Sequence, residues 1–183
     1  MTAAVIVAGG RGTRMGGVDK RQIVVEGATI FERQVSVLAP RTSEILVSAR
    51  AEVAGFRTVY DDEADAGPLA GVWAALAATT DDWLLVVAGD MPYLDAALID
   101  AMLAARARDA VGIRIDGRIE PLLCVLRVAA ARPVLSAMRA VDERRAGALL
   151  ERLDTVWLDD VADRSLHSIN APEDLVPSPG RIR

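Results

Sequence analysis

Two stretches, residues 3–8 (AAVIVA) and Trp83–Ala88 (WLLVVA), are apolar at every position rather than at alternate ones. A strand with one wet face alternates; a strand apolar throughout must be covered on both faces, as central strands of parallel sheets are. Helical patterns alternate with these runs and with shorter ones at Ile45–Ser48, 58–60 and 155–158. The alternation predicts an α/β fold, a Rossmann-like, mostly parallel sheet flanked by helices. The 183 residues, 52% of them hydrophobic, suit a single domain over 1–183 with a core large enough to sustain it.

Helix boundaries are written in local chemistry. Thr29-Ile-Phe-Glu32 reads as a capping box opening a helix to about Leu38, which Pro40 ends. Gly67-Pro68 starts another, with Pro at the first turn where a missing N–H costs nothing. Leu69, Val72, Trp73 and Leu76 then share one face. Asp95 caps a helix to about Arg106. In "VGIRIDGRIEPLLCVLR" the chain turns at Asp116-Gly117, an antiparallel hairpin insert. Helices over about 130–140 and 145–153 follow, and Pro172-Glu-Asp-Leu175 opens a last one with acids in its first turn.

Some classes of function are disfavoured. The formal charge of −5 argues against electrostatically driven nucleic-acid binding. The longest apolar runs fall short of a membrane span, so a cytoplasmic protein without membrane partners is expected. Cys124 is the sole cysteine, which rules out an internal disulfide or a zinc site built on cysteines. Within its apolar run it reads as a small core residue.

Straight after the first apolar run, "VIVAGGRGTRMGGVDK" places five glycines beside Arg11, Arg14 and Lys20. A glycine cluster alone fits a surface turn. With cations it also fits a phosphate cradle, in which bare backbone N–H groups approach an anion. Two better-known cradles fail. Gly12 and Gly17 have P-loop spacing, but Val18-Asp19 follows instead of Lys-Ser or Lys-Thr. Met15 stands where the dinucleotide fingerprint needs its third glycine. What remains is a long loop able to wrap a whole nucleotide, with Arg14 and Lys20 reaching phosphates as charge-assisted donors. Asp19 reads as structural. Asp90, just past the second aliphatic run, lies where ligands bind in open α/β sheets, and a carboxylate there suits Mg²⁺ or caps its loop.

The segment "VAGGRGTRMGGVDK" resembles the LAGGxxxRMGxDK signature of molybdenum cofactor guanylyltransferases, within the larger nucleotidyltransferase group. "GPLAG" at 67–71, "AGDMPYL" at 88–94, "ERRAGALLERL" at 143–153 and "INAPEDL" at 169–175 follow in the family's order. The resemblance spans nearly the whole chain. It implies a nucleotidyltransferase-type fold and the transfer of GMP from GTP to molybdenum-molybdopterin, giving the guanine dinucleotide cofactor and pyrophosphate. Its partners would be GTP and molybdenum-molybdopterin, with cofactor-delivery proteins or apo-molybdoenzymes as further ones, and Mg²⁺ the cofactor. Such chemistry asks for positioning and charge neutralisation, not a protein nucleophile or base, so His167 reads as an ordinary histidine.

Residue by residue, the resemblance assigns catalysis to Arg14, Lys20 and Asp90, with Asp90 on the metal. It implies backbone groups of Val7, Ala8, Gly9 and Gly10 around the nucleotide, with Val7 where Leu is usual. Ser48 stands in a place that often holds Asn. Asp61 matches the position that reads the guanine edge, with Asp62 as runner-up. Asn170 either approaches metal and phosphates or caps the last helix, and Ser168 replaces the family's first Asn. Arg144 and Arg145 match a paired-arginine stretch that either meets the pterin phosphate or is a solvated helix start; Pro121 borders the pterin pocket. Two other readings stand beside this one: a relative using CTP or another phosphorylated acceptor, and a non-catalytic nucleotide-binding adaptor.

Overall fold

A computed structural model describes residues 1–8, 20–60, 67–159, 161, 166 and 168. Arg14, Gly9, Gly10, Asp61, Asp62, His167, Asn170 and the expected last helix lie outside these residues.

The fold is a seven-stranded sheet with helices on both faces. The strands are β1 (Thr2–Val7), β4 (Ile45–Ser48), β5 (Arg57–Val59), β6 (Trp83–Ala88), β7 (Ala110–Ile115), β8 (Arg118–Arg127) and β9 (Thr155–Asp159), in the order β5-β4-β1-β6-β8-β7-β9. A small antiparallel pair, β2 (Val24–Val25) with β3 (Ala28–Thr29), stands apart. The helices are α1 (Ile30–Leu38), α2 (Pro68–Ala78), α3 (Ala96–Ala104), α4 (Val128–Ala140) and α5 (Gly147–Arg152).

The two aliphatic runs are neighbours. β1 and β6 pair in parallel from Thr2↔Trp83 to Val7↔Ala88. Side chains alternate between faces, so Ala3, Val5, Leu84 and Val86 pack under α2, α4 and α5. Ala4, Ile6, Leu85 and Val87 pack against α1 and α3. These side chains have no exposed surface at all, which is why neither run could spare a polar position.

Local signals hold at the expected places. Thr29 accepts from the Glu32 N–H and Glu32 accepts from the Thr29 N–H, closing the capping box. Asp95 accepts from the Ala97 N–H at the start of α3, which stops at Ala104, short of the expected Arg106. β5 runs Arg57–Val59, one residue earlier than expected, and α5 is shorter than its segment implied. Asp116 (φ 47°) and Gly117 (φ 76°) both take left-handed backbone, the requirement of a tight two-residue hairpin turn between β7 and β8. Although β8 belongs to that insert, it lies inside the sheet, antiparallel to both β6 and β7, while β9 returns parallel to β7. The β2–β3 pair, turning at Glu26-Gly27, has only two residues per strand and too short a pattern to read in advance.

The strand order reverses beside β1. From β1 the chain moves outward to β4 and β5, then returns to place β6 on the other side. The carboxyl ends of β1 and β6 therefore flank a topological switch point, where an open α/β sheet has its ligand crevice.

Candidate active site

Each side of this crevice is built by a short stretch of backbone. At the end of β1, the Ala8 N–H donates to Ser48 O (2.9 Å) and Val7 O accepts from the Gly89 N–H (2.9 Å). A Cβ at Gly89 would lie 3.1 Å from Val7 O and 3.2 Å from Ala8 Cβ. Glycine thus lets the loop after β6 lie flat on the end of β1. Val7 and Ala8 remain half-buried at the rim, whereas Ser48 is buried, with its side chain against the helical turn containing Gly71. Gly71 is required by packing: a Cβ there would collide with Ser48 Oγ.

The charged groups meet at the next residue. Lys20, opening a 3-10 turn over Lys20–Gln22, places its Nζ 3.1 Å from Asp90 Oδ2, and both side chains are largely but not wholly buried. The two ends of the sequence motif pair, seventy residues apart, thus converge on one spot. Glu120 on β8 lies near enough that its carboxyl is held above the usual carboxylate range, first by burial and then by the charge of Asp90. Register explains the placement. β8 runs antiparallel to β6 with Val87 opposite Leu123, so continuing past the end of β6 brings Glu120 alongside Asp90.

Two neighbouring residues of α1 hold the Asp90 loop from below. Gln34 is fully buried, and its Nε2 donates to Ala88 O (2.7 Å) and Met91 O (3.2 Å). Arg33 donates from Nε to Pro92 O (2.8 Å) and from Nη1 to Val25 O (3.3 Å). Neither residue was singled out from the sequence, since Gln34 falls on the buried face of an amphipathic helix and resembles nothing catalytic. Glu120 was missed too; its only sequence signal is a carboxylate just after a hairpin turn whose strand heads back toward the motif loop.

Arg144 and Arg145 pair with acids of their own segment. Arg144 Nε is 2.7 Å from Asp142 Oδ1, beside Leu69 and Ala70 at the start of α2. Arg145 makes two bonds to Glu151, at 2.8 and 2.7 Å, and this pairing raises its pKa. Cys124 is buried in the sheet, and burial pushes its thiol up to about 12, which fits a packing residue.

Hard oxygen donors fit a hard divalent ion. The Asp90 carboxylate, with Glu120 close by, lies just past the carboxyl end of β6, at the switch point of the sheet. Mg²⁺ is typically held by one or two carboxylates together with substrate phosphates. Among the described residues there is no cluster of three or more His, Cys, Asp or Glu side chains. No helix among them is long and apolar enough to cross a membrane.

A mostly parallel α/β sheet with a Lys–Asp pair at its switch point is the frame of a nucleotide-handling domain, and comparison with known proteins agrees. The family described as the MobA-like NTP transferase domain matches residues 4–156, and the chain belongs to that family of nucleotidyltransferase enzymes. The molybdenum cofactor guanylyltransferase of Pseudomonas syringae pv. syringae is 35% identical over 179 residues, 92% of this chain and 88% of the relative. That of Pseudomonas fluorescens is 36% identical over 181 residues, 92% of this chain and 89% of the relative. Among solved structures, molybdopterin-guanine dinucleotide biosynthesis protein A from Archaeoglobus fulgidus superposes with a TM-score of 0.77 at 25% identity, covering 96% and 95% of the two chains. A 2-C-methyl-D-erythritol 4-phosphate cytidylyltransferase from Thermus thermophilus shares the fold, with a TM-score of 0.69 at 20% identity over 94% of each chain.

Proposed function

We propose that this chain transfers GMP from GTP to the terminal phosphate of molybdenum-molybdopterin. A phosphate oxygen of the pterin attacks the α-phosphorus of GTP, the bond from that phosphorus to the α,β-bridging oxygen breaks, and pyrophosphate leaves with the electron pair. The attacking oxygen is already ionised, so no base is needed, and catalysis consists of positioning and electrostatic stabilisation. The observation that carries the reading is the 3.1 Å meeting of Lys20 with Asp90 at the switch point of this fold.

Asp90 is the residue to hold Mg²⁺, which when bound would neutralise charge on the triphosphate. Lys20 would turn its ammonium from Asp90 to the phosphates once a nucleotide arrives, with Arg14 of the glycine-rich loop as a second cation. Val7, Ala8, Gly9 and Gly10 would frame the nucleoside by backbone groups. Asp61 (or its neighbour Asp62) is proposed to read the guanine N1–H and N2–H₂ edge. Asn170 is proposed near the phosphates or as a helix cap, and Arg144 and Arg145 at the pterin phosphate. Those two arginines would first have to give up Asp142 and Glu151. A cytoplasmic location, and delivery proteins or apo-molybdoenzymes as partners, belong to the same proposal.

The test is a product assay with purified molybdenum-molybdopterin and each of GTP, CTP, UTP and ATP. Pyrophosphate and the dinucleotide product are expected with GTP alone, and Asp90→Ala should lower turnover at least 100-fold, the scale of losing a principal electrostatic group. Equal turnover with CTP would reassign the base; near wild-type turnover by Asp90→Ala would overturn the metal assignment.

A further inference from the structure

The metal-side carboxylate does not stand on a rigid element. Asp90 is the second residue after the end of β6, in a loop of Gly89, Asp90, Met91 and Pro92 that has no ladder partner of its own. Its backbone carbonyls are taken up from one side by two consecutive residues of α1. Gln34 spans the loop, binding Ala88 O before Asp90 and Met91 O after it. Arg33 takes Pro92 O. The same Arg33 reaches in the other direction, to Val25 O and to Glu26 Oε2 (3.3 Å each), in the β2–β3 pair. That pair is joined to the Lys20 turn, where the Ile23 N–H donates to Lys20 O (3.2 Å) and Ile23 O accepts from the Ile30 N–H (2.9 Å).

Gln34 carries a cost that its packing does not explain. Among the described residues, its Oε1 is buried without a hydrogen-bond partner. Turning the amide over would not help, since the oxygen would then face two carbonyl oxygens that accept and cannot donate. A Leu or Met at this position would fill the same space with no orphaned acceptor. The gain from the amide is therefore local, and it lies in the two bonds that fix the backbone on both sides of Asp90.

We propose that Arg33 and Gln34 are positioning residues that set the Lys20–Asp90 distance, Gln34 by fixing the Asp90 loop and Arg33 by tying that loop to the element carrying Lys20. This rests on the proposed function for Asp90, and acts through Asp90 and Lys20 rather than on substrate. Catalytic constellations need placement within a fraction of an ångström, and a carboxylate on an untied loop loses this.

The experiment compares wild type, Gln34→Met, Arg33→Met and Asp90→Ala, with Mn²⁺ as the metal probe titrated calorimetrically into the GTP-bound protein. Turnover and thermal midpoint are followed alongside. Gln34→Met is expected to weaken Mn²⁺ binding about 10-fold and to lower kcat by a similar factor, with GTP affinity in EDTA within 2-fold of wild type. In the Asp90→Ala background the same substitution should change Mn²⁺ affinity by less than 2-fold, because there is no carboxylate left to place. A loss of equal size in both backgrounds, or wild-type Mn²⁺ affinity in a folded Gln34→Met protein, would overturn the proposal. Should Gln34→Met fail to fold, Arg33→Met decides: its side chain is part-exposed, a several-fold weaker Mn²⁺ affinity supports the brace, and an unchanged one refutes it. The guanylyltransferase reading fails on a different measurement, the wild-type product assay, so the two can fall separately.

Discussion

Glu120 shows how much a single side chain owes to its address. Three residues past a hairpin turn it would be an ordinary solvated carboxylate, yet β8 carries it to the end of β6, beside Asp90. Burial and the Asp90 charge both raise its pKa, in that order. Between the ordinary carboxylate pKa of the unfolded chain and this raised folded value, the native state binds more protons, so stability falls as pH rises through the window. Glu120→Gln removes the penalty. It is expected to be more stable than wild type at pH 7.5, and the difference should close as the pH is lowered below the ordinary carboxylate range. Urea unfolding at pH 7.5 and pH 4 checks this; a variant that is less stable at pH 7.5 would mean that the carboxylate makes a favourable ionic contact instead. The residue was invisible in the sequence because nothing local marks it. Its neighbour in space is thirty residues distant in sequence and comes from a register that only the sheet defines. Lys20 and Asp90, by contrast, were legible because each sits in a motif whose glycines and flanking aliphatic strand show where the chain must turn.

At the scale of elements, the start of α2 makes the same division between legible and hidden. Gly67-Pro68 announced the helix, and Gly67 indeed takes positive φ (72°) immediately before Pro68. What the sequence did not show is why Gly71 is glycine. It sits in the first turns of α2, where the helix rests on the ends of β1 and β4, and a Cβ would meet Ser48 Cβ at 2.9 Å and Val7 Cγ1 at 3.4 Å as well as striking Ser48 Oγ. An alanine would gain about 1 kcal/mol of helix propensity but cost roughly 1–3 kcal/mol of overpacking. Gly71→Ala is therefore expected to destabilise by up to about 2 kcal/mol in urea unfolding. Because the nearest atom is the Ser48 hydroxyl, Ser48→Ala should recover part of that loss. Full stability of Gly71→Ala would show that α2 can lift from the sheet at no cost. Strand boundaries, caps and the Asp116-Gly117 turn were readable since each rests on chemistry within four residues. The central position of β8 was not, because the order of strands depends on which edges meet, and no residue of β8 records its neighbours.

For the whole molecule, ligand binding depends on the switch point of the sheet. Among the described residues β1 and β6 are covered on both faces by two apolar clusters, and the strand order reverses beside β1, so the carboxyl ends of these two strands flank the switch point. The crevice is lined on one side by the half-buried ends Val7 and Ala8, and on the other by Asp90 with Lys20 against it. A ligand that joins the two sides stabilises the native state by mass action, and one that touches only one side does so less. With Mg²⁺ and GTP at about 100 times the dissociation constant, linkage gives about 2.7 kcal/mol. For a chain of this length that corresponds to a rise of roughly 5–10 °C in Tm. GTP with EDTA should give a smaller rise, Mg²⁺ alone little, and CTP with Mg²⁺ little if Asp61 or Asp62 reads the guanine edge as proposed. In Asp90→Ala the gain from adding Mg²⁺ to GTP should disappear while the rise from GTP alone persists. Differential scanning fluorimetry across these mixtures separates the two sides of the crevice. If Mg²⁺ added the same increment to Asp90→Ala as to wild type, the ion would be held by the nucleotide alone, and the carboxylate at the end of β6 would serve only to anchor Lys20.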